Sequence, residues 1–360
     1  MSFADVLAEY FAPSVYNSLV PTAGVELGFH PQLEVLGQGV SWHRAGLAST
    51  PDQHAAVLEA ERAIYPDGLG MTEVRTWQTA DENAAFVEWR DAGRTWNGRD
   101  VANGGLSVFE FEDGLVRRVR TFTNTSYLQA IQQGWTELLS FDTLLHVPAF
   151  HTMGLPIELS KPYPPAPGAQ TEDDPPLVFP EPWTNEQRIA LMYDPPVFDL
   201  HDTERRARYL SAYSPDMYYE WQGTRWMMAG RNYRRDQLAA AERGDVSEFV
   251  VHTWLRFSHV KTWATVDQRS VFMEWVSKST MWTGADFRNH GMTLLQFDDE
   301  NRIVAHREYN NCAYNEASEG DWRDQMEPAA FNARALSKTW DLPSEEWKPI
   351  PIHEAEASVR

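Results

Sequence analysis

Three polar residues occur at every second position of the segment IVAHREYNN, residues 303–311. His306, Glu308 and Asn310 would share one face of a strand there, because successive side chains of a strand point to opposite faces. A carboxyl group removed from water has a raised pKa, and a nearby imidazole can take the complementary role in proton transfer. This pair suits dehydration, retro-aldol cleavage, aldol closure or epoxide opening without a cofactor.

The chain also repeats itself over a long period. The stretch VRTWQTADENAAFVEW at 74–89 returns as VKTWATVDQRSVFMEW at 260–275, and WNGRDVANGGLSVFEF at 96–111 returns as WTGADFRNHGMTLLQF at 282–297. Of the 38 positions from Val74 to Phe111, 14 are identical in the second copy, where ordinary composition gives about 2. A period of this length indicates two copies of one domain. Polar residues that only one copy carries are therefore candidates for chemistry.

Composition excludes several classes of function. The 360 residues carry a formal charge of −21 without a cluster of lysines and arginines, so no nucleic acid partner is expected. Cys312 is the single cysteine, which excludes a disulfide framework or a zinc quartet. His252 and His259 have no second cluster of ligands, so we expect no metal site. The sequence has no nucleotide-binding motif, and we expect no cofactor. Without a signal peptide or an apolar membrane span, we expect a cytoplasmic protein that does not enter a membrane.

The order of elements is the same in both copies. Helical segments come first, then short strands, a further helix, and long segments with the alternating pattern of strands. This order predicts an α+β fold, with helices packed on one face of a curved antiparallel sheet. We predict a first domain at 1–150, a Pro-rich linker at 151–182, a second domain at 183–320, and a C-terminal helix (near 328–340) and tail at 321–360.

Both copies carry the pattern EW, then W-x-G, then a Gly and a Phe, and end in Arg-x-Phe/Tyr-x-Asn at 120–124 and 307–311. With the element order, this resembles the SnoaL-like polyketide-cyclase group of the nuclear-transport-factor-2-like superfamily. That superfamily also contains ketosteroid isomerase, scytalone dehydratase and limonene epoxide hydrolase. The resemblance covers most of both copies. It implies two tandem cone-shaped domains with deep apolar pockets, which would form a pseudo-dimer within the chain and leave further homo-oligomerisation open.

The resemblance to ketosteroid isomerase implies that the residues flanking Arg307 point into the cone of the second copy. We therefore predict Glu308 and His306 as catalytic residues, with Glu308 salt-bridged to Lys278 and His306 merely hydrogen-bonded in the core as the structural alternatives. The predicted substrate-binding residues are Asn310, Thr293, Glu274, Lys278, Tyr219, Trp221 and Trp254. The predicted pocket residues of the first copy are Glu88, Arg90, His43 and Thr121.

We expect three further features from the resemblance and from strand alternation. Trp89 and Trp275 should face away from the pocket, His290 should lie in a solvent-exposed turn, and Asp91 should lie in an ion pair or at the surface. The carboxyl positions of the isomerase fall on uncharged residues here, including Thr293 and Trp221, so its own chemistry is not expected. We predict a cofactor-independent lyase, isomerase or cyclase that acts on a small aromatic or polycyclic metabolite. Epoxide hydrolysis and non-catalytic ligand binding or assembly are the alternatives.

Overall fold

The computed structural model describes residues 2–12, 16–17, 20–21, 27–155, 183–193, 207, 209–244, 256–325 and 337–357. The chain divides into two compact units, which we call the first and second domains. The first domain comprises Met1–Ser160 with Ser344–Glu354, and the second comprises Lys161–Pro343 with Ala355–Arg360. The predicted linker lies outside the described residues apart from 151–155, which are helix and turn. The predicted helix near 328–340 also lies outside them, except for 337–340, where a short strand begins.

The first domain begins with helix α1, which has the sequence signature of a capping box. The side chain of Ser2 accepts from the backbone N–H of Asp5, and the Asp5 carboxylate accepts from that of Ser2. Its helices are α1 Phe3–Tyr10, α2 Pro51–Ile64, α3 Thr125–Ile131, α4 Phe141–His146 and α5 Pro148–Thr152. Its strands are β1 Tyr16–Asn17, β2 Val20–Pro21, β3 Phe29–Gly37, β4 Gly46–Ala48, β5 Leu69–Gln78, β6 Ala84–Arg94, β7 Asp100–Glu112 and β8 Leu115–Thr123. The sheet order is β2-β1-β5-β6-β7-β8-β3-β4.

The second domain repeats this plan. Its helices are α6 Asn185–Met192, α7 Arg235–Gly244 and α8 Cys312–Glu319. Of the last helix, α9 Ile352–Ala357, residues 352–354 belong to the first domain and residues 355–357 to the second. Its strands are β9 Tyr213–Trp221, β10 Gly230–Asn232, β11 Arg256–Ala264, β12 Ser270–Thr280, β13 Asp286–Phe297, β14 Ile303–Asn310 and β15 Ser337–Lys338. Their order is β11-β12-β13-β14-β9-β10-β15.

The predicted α+β fold with two tandem domains is confirmed, with one difference in the sheets. Each sheet contains one parallel pair, β3 with β8 and β9 with β14, while the other pairs are antiparallel. The early strand of each copy joins the sheet beside the last strand, although many residues separate them along the chain. This long-range pairing has no local turn to reveal it, so the sequence suggested an antiparallel meander.

Each sheet has one face covered by a helix, and a tryptophan marks that face. In the first domain α1 packs on the face that carries Trp89, and in the second α6 packs on the face that carries Trp275. The Trp89 indole lies over Gly105 and the Trp275 indole over Gly291, where an added Cβ would stand 2.6 Å and 2.2 Å from the ring. Both tryptophans therefore face the helices, and the prediction that they face away is wrong.

The C-terminal segment, residues 344–354, packs against the first domain. Trp347 is 2% exposed and its ring lies 5.6 Å from that of Tyr127 on α3. The backbone carbonyl of Ile350 accepts from Arg90 Nε at 2.6 Å. Glu73 on β5 accepts from the backbone N–H of Ile352 and pairs with the imidazole of His353. The segment is therefore part of the first domain's core and not a loose tail.

We expect Trp347→Ala to lower the free energy of unfolding of the first domain by about 3–5 kcal/mol, because it removes a large buried ring from a packed cluster. Differential scanning calorimetry of the full chain measures the change. Phe141→Ala is the matched control, since Phe141 is a first-domain aromatic residue that is 65% exposed. Equal shifts from the two variants would contradict the packing role of the C-terminal segment.

Candidate functional site

The last strand of the second domain places three predicted residues on the helix-covered face. His306 pairs across the sheet with Leu295, Glu308 with Thr293, and Asn310 with Gly291. Thr293 Oγ1 accepts from Trp275 Nε1 at 2.8 Å, which puts Glu308 and its neighbours on the Trp275 side of the sheet. On the parallel neighbour β9, Tyr219 and Trp221 lie opposite His306 and Glu308. The structure thus brings together six of the predicted residues of this copy: His306, Glu308, Asn310, Thr293, Tyr219 and Trp221.

His306 is almost fully buried, and its two ring nitrogens have different surroundings. Nδ1 lies 2.8 Å from the hydroxyl of Tyr213, and the ring stacks on Tyr219 with centroids 3.8 Å apart. Nε2 is buried, has no hydrogen-bond partner among the described residues, and lies 3.7 Å from Oε2 of Glu308. Burial lowers the pKa of His306, and the Glu308 carboxylate opposes this shift. The imidazole is therefore neutral near pH 7, with one nitrogen facing the carboxylate.

A row of three tyrosine hydroxyls leads to Nδ1 of His306. The Tyr213 hydroxyl lies 2.8 Å from that of Tyr209, which lies 3.2 Å from that of Tyr193, the residue that caps the C-terminus of α6. All three side chains are buried. A hydroxyl can donate and accept at once, so the row can hold His306 in one tautomer. Sequence reasoning missed these tyrosines, because their hydroxyls meet only when α6, the 209–213 region and β14 are packed together.

Glu308 is held by amide side chains that also lie on this side of the sheet. Its Oε1 accepts from Nδ2 of Asn310 at 2.9 Å. The amide of Asn310 is fixed in turn by Asn315, which accepts from Asn289 at 2.6 Å. One carboxylate oxygen is thus oriented by the network while the other faces His306. Residue Glu308 is 9% exposed and His306 only 1%, so the carboxylate is the more accessible of the two.

The surroundings of this pair are aromatic and apolar. The rings of Tyr219 and Trp221 have centroids 3.7 Å apart. The same buried cluster contains a further set of large apolar side chains: Trp226, Met227, Met228, Phe257, Met273 and Trp275. Large rings and flexible thioethers of this kind contact flat aromatic molecules well. His306 and Glu308 are therefore largely removed from bulk water.

Two of the predicted residues of the second copy, Glu274 and Lys278, do not join this group. Glu274 lies on the opposite face of β12, where its Oε1 lies 2.8 Å from Nε2 of His290, and both side chains are buried. Lys278 is four residues further along the same strand and shares that face, so it does not face Glu308. The inward orientation of Glu274 and Lys278 and the exposed position of His290 are therefore wrong. Adjacent residues of β12 point to opposite faces, and Trp275 points to the helices, so Glu274 and Lys278 point away from them. The sequence prediction had these two faces of β12 interchanged. Trp254 lies outside the described residues.

The first domain shows the same phase error. Glu88 and Arg90 lie on the face opposite to Trp89, where Arg90 Nη2 lies 3.2 Å from Glu88 Oε1. Arg90 also holds the C-terminal segment, so the prediction of both as pocket residues is wrong. Thr121 lies on the helix-covered face, 3.0 Å from the hydroxyl of Ser107. His43 is also buried in this domain, with Nδ1 3.0 Å from Gln132 Oε1.

Around His43 lies a charged cluster that sequence reasoning missed. Arg44 forms an ion pair with Glu61 on α2, and the His43 ring lies 3.8 Å from the same carboxylate. Burial raises the pKa of Glu61, but Arg44 and His43 outweigh it and hold the pKa at about 2. Asp91 on β6 is 6% exposed, and burial raises its pKa to about 7 although Arg44 opposes this. The expectation of an exposed or simply ion-paired Asp91 is therefore wrong. Asp91 lies two residues after Trp89 on β6, so the two side chains share a face. The sequence would have placed Asp91 correctly if Trp89 had been assigned to the helix-covered face.

Within the described part of the chain, no group of three or more His, Cys, Asp or Glu side chains could hold a metal ion. Over the same residues, no helix is long and apolar enough to cross a membrane. The buried groups described above form hydrogen bonds and ion pairs with one another.

No protein-family model and no curated protein matches this sequence. Similar solved structures include an NTF2-like protein from Exiguobacterium sp. 255-15, with 12% identity and a TM-score of 0.29 over 36% of this chain and 98% of its own. A provisionally described polyketide cyclase from Xanthomonas campestris has 14% identity and a TM-score of 0.31 over 38% of this chain and 100% of its own. A phenazine biosynthesis-related protein from Pseudomonas aeruginosa has 16% identity and a TM-score of 0.31 over 40% and 87%.

The first of these structures is described as NTF2-like and the second as a polyketide cyclase, which are names of the group that the sequence resembles. Each of the three matches 36–40% of this chain, about the length of one domain.

The raised pKa of Asp91 predicts a specific pH dependence of stability. The folded protein keeps this proton up to about pH 7, whereas an unfolded chain releases it near 3.8. The free energy of unfolding of the first domain should therefore fall as the pH rises between these values, by up to about 4 kcal/mol from this group. Asp91→Asn should remove that slope. Urea denaturation of both proteins from pH 4 to 8 tests this, and equal slopes would contradict the assignment.

Proposed function

We propose that the second domain is a cofactor-independent enzyme site, which acts on a small aromatic or polycyclic metabolite by general acid–base catalysis. The observation that carries the proposal is the arrangement of His306 and Glu308. A buried imidazole nitrogen without a hydrogen-bond partner lies 3.7 Å from a carboxylate oxygen, among aromatic side chains. A buried polar atom without a partner is costly, and such groups concentrate at functional sites.

The two groups can divide the proton transfers between them. If the Tyr213 hydroxyl donates to Nδ1, the neutral imidazole carries its proton on Nε2, where it can protonate a leaving oxygen. The Glu308 carboxylate then takes a proton from carbon beside a carbonyl group. The sum of these two transfers is loss of water from a β-hydroxy carbonyl compound. In an aldol closure Glu308 removes the same carbon-bound proton, the carbon attacks a second carbonyl group, and His306 protonates the oxygen of that group. In the reverse, retro-aldol direction His306 takes the hydroxyl proton, the C–C bond breaks, and Glu308 returns a proton to the enolate carbon.

Two further side chains are suited to hold the substrate. Thr293 Oγ1 accepts from the Trp275 indole, which leaves its own O–H to donate to a substrate oxygen. The ring of Trp221 continues the aromatic surface from Tyr219 and offers a stacking partner for a flat molecule. A polar contact from Thr293 at one end of the substrate and stacking on Trp221 at its other end would orient the reacting carbon toward Glu308.

A proton-abstraction probe tests this without knowledge of the native substrate. In 5-nitrobenzisoxazole a base removes the ring C–H proton, the N–O bond breaks, and a coloured cyanophenolate forms. We expect the full chain to accelerate this opening over buffer, and Glu308→Gln to lower the rate by about 100-fold or more, since a positioned base contributes at least that much. The absorbance of the phenolate measures the rate.

Glu300→Gln is the control for a lost carboxylate, because Glu300 is exposed in the turn before β14 and should leave the rate unchanged. His306→Gln should lower the rate as well, by removing the donor to the departing phenolate oxygen. Binding of the probe with no acceleration, retained in Glu308→Gln, would favour a ligand-binding protein. Turnover of a small aryl epoxide with Glu308 dependence, but not of the probe, would favour the epoxide hydrolase alternative.

A further inference from the structure

The short strand β10 carries a buried amide side chain that the proposed acid–base chemistry does not use. Asn232 is the last residue of this strand and is 1% exposed. Neither its Oδ1 nor its Nδ2 has a hydrogen-bond partner, and no other side chain in the described part of the chain has two buried polar atoms that both lack one. An amide buried without hydrogen bonds costs free energy of folding. Stability therefore does not explain Asn232.

The first copy shows that the fold does not require an asparagine at this position. On β4, Ala48 pairs with Val35 of the early strand β3. On β10, Asn232 pairs with Tyr219 of the early strand β9. Ala48 and Asn232 are each the second residue after the glycine of a shared Ala-Gly sequence, so they correspond, and both are buried. Asn232 is thus a polar residue that only the second copy carries.

Strand pairing places Asn232 beside the proposed acid–base site. In the strand order β14-β9-β10, His306 lies opposite Tyr219, and Tyr219 lies opposite Asn232. Residues opposite each other on neighbouring strands have side chains on the same face. Because Tyr219 stacks on His306 with ring centroids 3.8 Å apart, this shared face is the helix-covered one. Neighbouring strands are about 4.8 Å apart, so the backbones of His306 and Asn232 are about 10 Å apart.

Two buried polar groups that lack partners among the described residues therefore lie on either side of Tyr219. On one side is Nε2 of His306, and on the other is the amide of Asn232. The Tyr219 ring lies 3.7 Å from that of Trp221, and the residue opposite Trp221 on β10 is Gly230, which has no side chain. A flat molecule stacked on these two rings would present one edge to the acid–base pair and the opposite edge to Asn232.

We propose that Asn232 is a specificity-determining residue of the second-domain site, and that it binds the cis-amide edge of a lactam fused to an aromatic ring. This role rests on the proposed function, since His306 and Glu308 are taken to act on the other edge of the same substrate. A side-chain amide offers an acceptor and a donor side by side. A lactam offers the complementary N–H and C=O, so two parallel hydrogen bonds would satisfy both polar atoms of Asn232.

The end of β10 gives a ligand a path to this amide. Strand β15 pairs with Gly230 and Arg231 of β10 but not with Asn232. The residue after Asn232, Tyr233, is 43% exposed. Asn232 is therefore one residue from an exposed position, which allows a ligand to approach from that end of the strand.

Isothermal titration of the full chain with 2-quinolinone tests this role, with N-methyl-2-quinolinone as the probe of similar shape that lacks the N–H donor. We expect the wild type to bind 2-quinolinone at least tenfold more tightly than the N-methyl compound. Asn232→Ala, which installs the residue of the first copy, should remove this preference. Asn83→Ala, at an exposed asparagine of the first domain, is the control and should retain it.

The melting temperature of the free protein separates a recognition role from a structural one. Asn232→Leu should keep or raise the melting temperature of the second domain, because it replaces an unpaired buried amide with an apolar side chain of similar size. A lower melting temperature in both Asn232→Leu and Asn232→Ala would overturn the proposal. Equal binding of the two quinolinones by the wild type, or a preference that persists in Asn232→Ala, would overturn it as well.

Binding that depends on Asn232 and catalysis that depends on Glu308 are separable. Glu308-dependent opening of 5-nitrobenzisoxazole, with equal binding of both quinolinones, would leave the acid–base site standing and overturn the role of Asn232. A preference for 2-quinolinone that Asn232→Ala removes, without acceleration of the benzisoxazole opening, would support the recognition role and contradict the proposed chemistry.

Discussion

The packing of one indole over one glycine determines which side of each sheet faces the helices. Trp275 lies over Gly291 and donates to Thr293, and in the first domain Trp89 lies over Gly105 and donates to Ser107. No side chain fits between ring and backbone at either glycine. With the tryptophan fixed on the helix-covered face, strand alternation places every other residue of β6 and β12. The positions of Asp91, Glu274 and the residues facing Glu308 all depend on this contact.

The same scaffold supports two kinds of buried chemistry. In the second domain the helix-covered face is apolar and aromatic, and one His–Glu pair lies within it. In the first domain the matching region carries an ion pair and a further buried acid. Neither arrangement is what stability alone would select, because each leaves a buried polar atom without a partner among the described residues. The duplicated fold thus tolerates different polar groups where its shared tryptophans and glycines are kept.

Much of the fold was predictable from the sequence, because it rests on local patterns and on the repeat. The capping residues, the α2 pattern and the alternating strands identify the elements, and the repeat identifies two domains. The face shared by His306, Glu308 and Asn310 also follows from their spacing. The parallel pairs, the docking of residues 344–354 and the tyrosine row were not predictable, because they join segments that are distant in sequence. The faces of β6 and β12 were assigned wrongly because alternation gives the period of a strand but not its phase.

The buried His306 imidazole faces the Glu308 carboxylate and is neutral near pH 7. Nitrogen-15 NMR of the histidine side chains across a pH titration, in the wild type and in Glu308→Gln, measures this arrangement. We expect a pKa of His306 below the usual 6.5, because burial lowers it, and a still lower pKa in Glu308→Gln, because the carboxylate partly offsets burial. A pKa of His306 at or above 6.5 in the wild type, or one that does not change in Glu308→Gln, would show that the two groups are not arranged in this way.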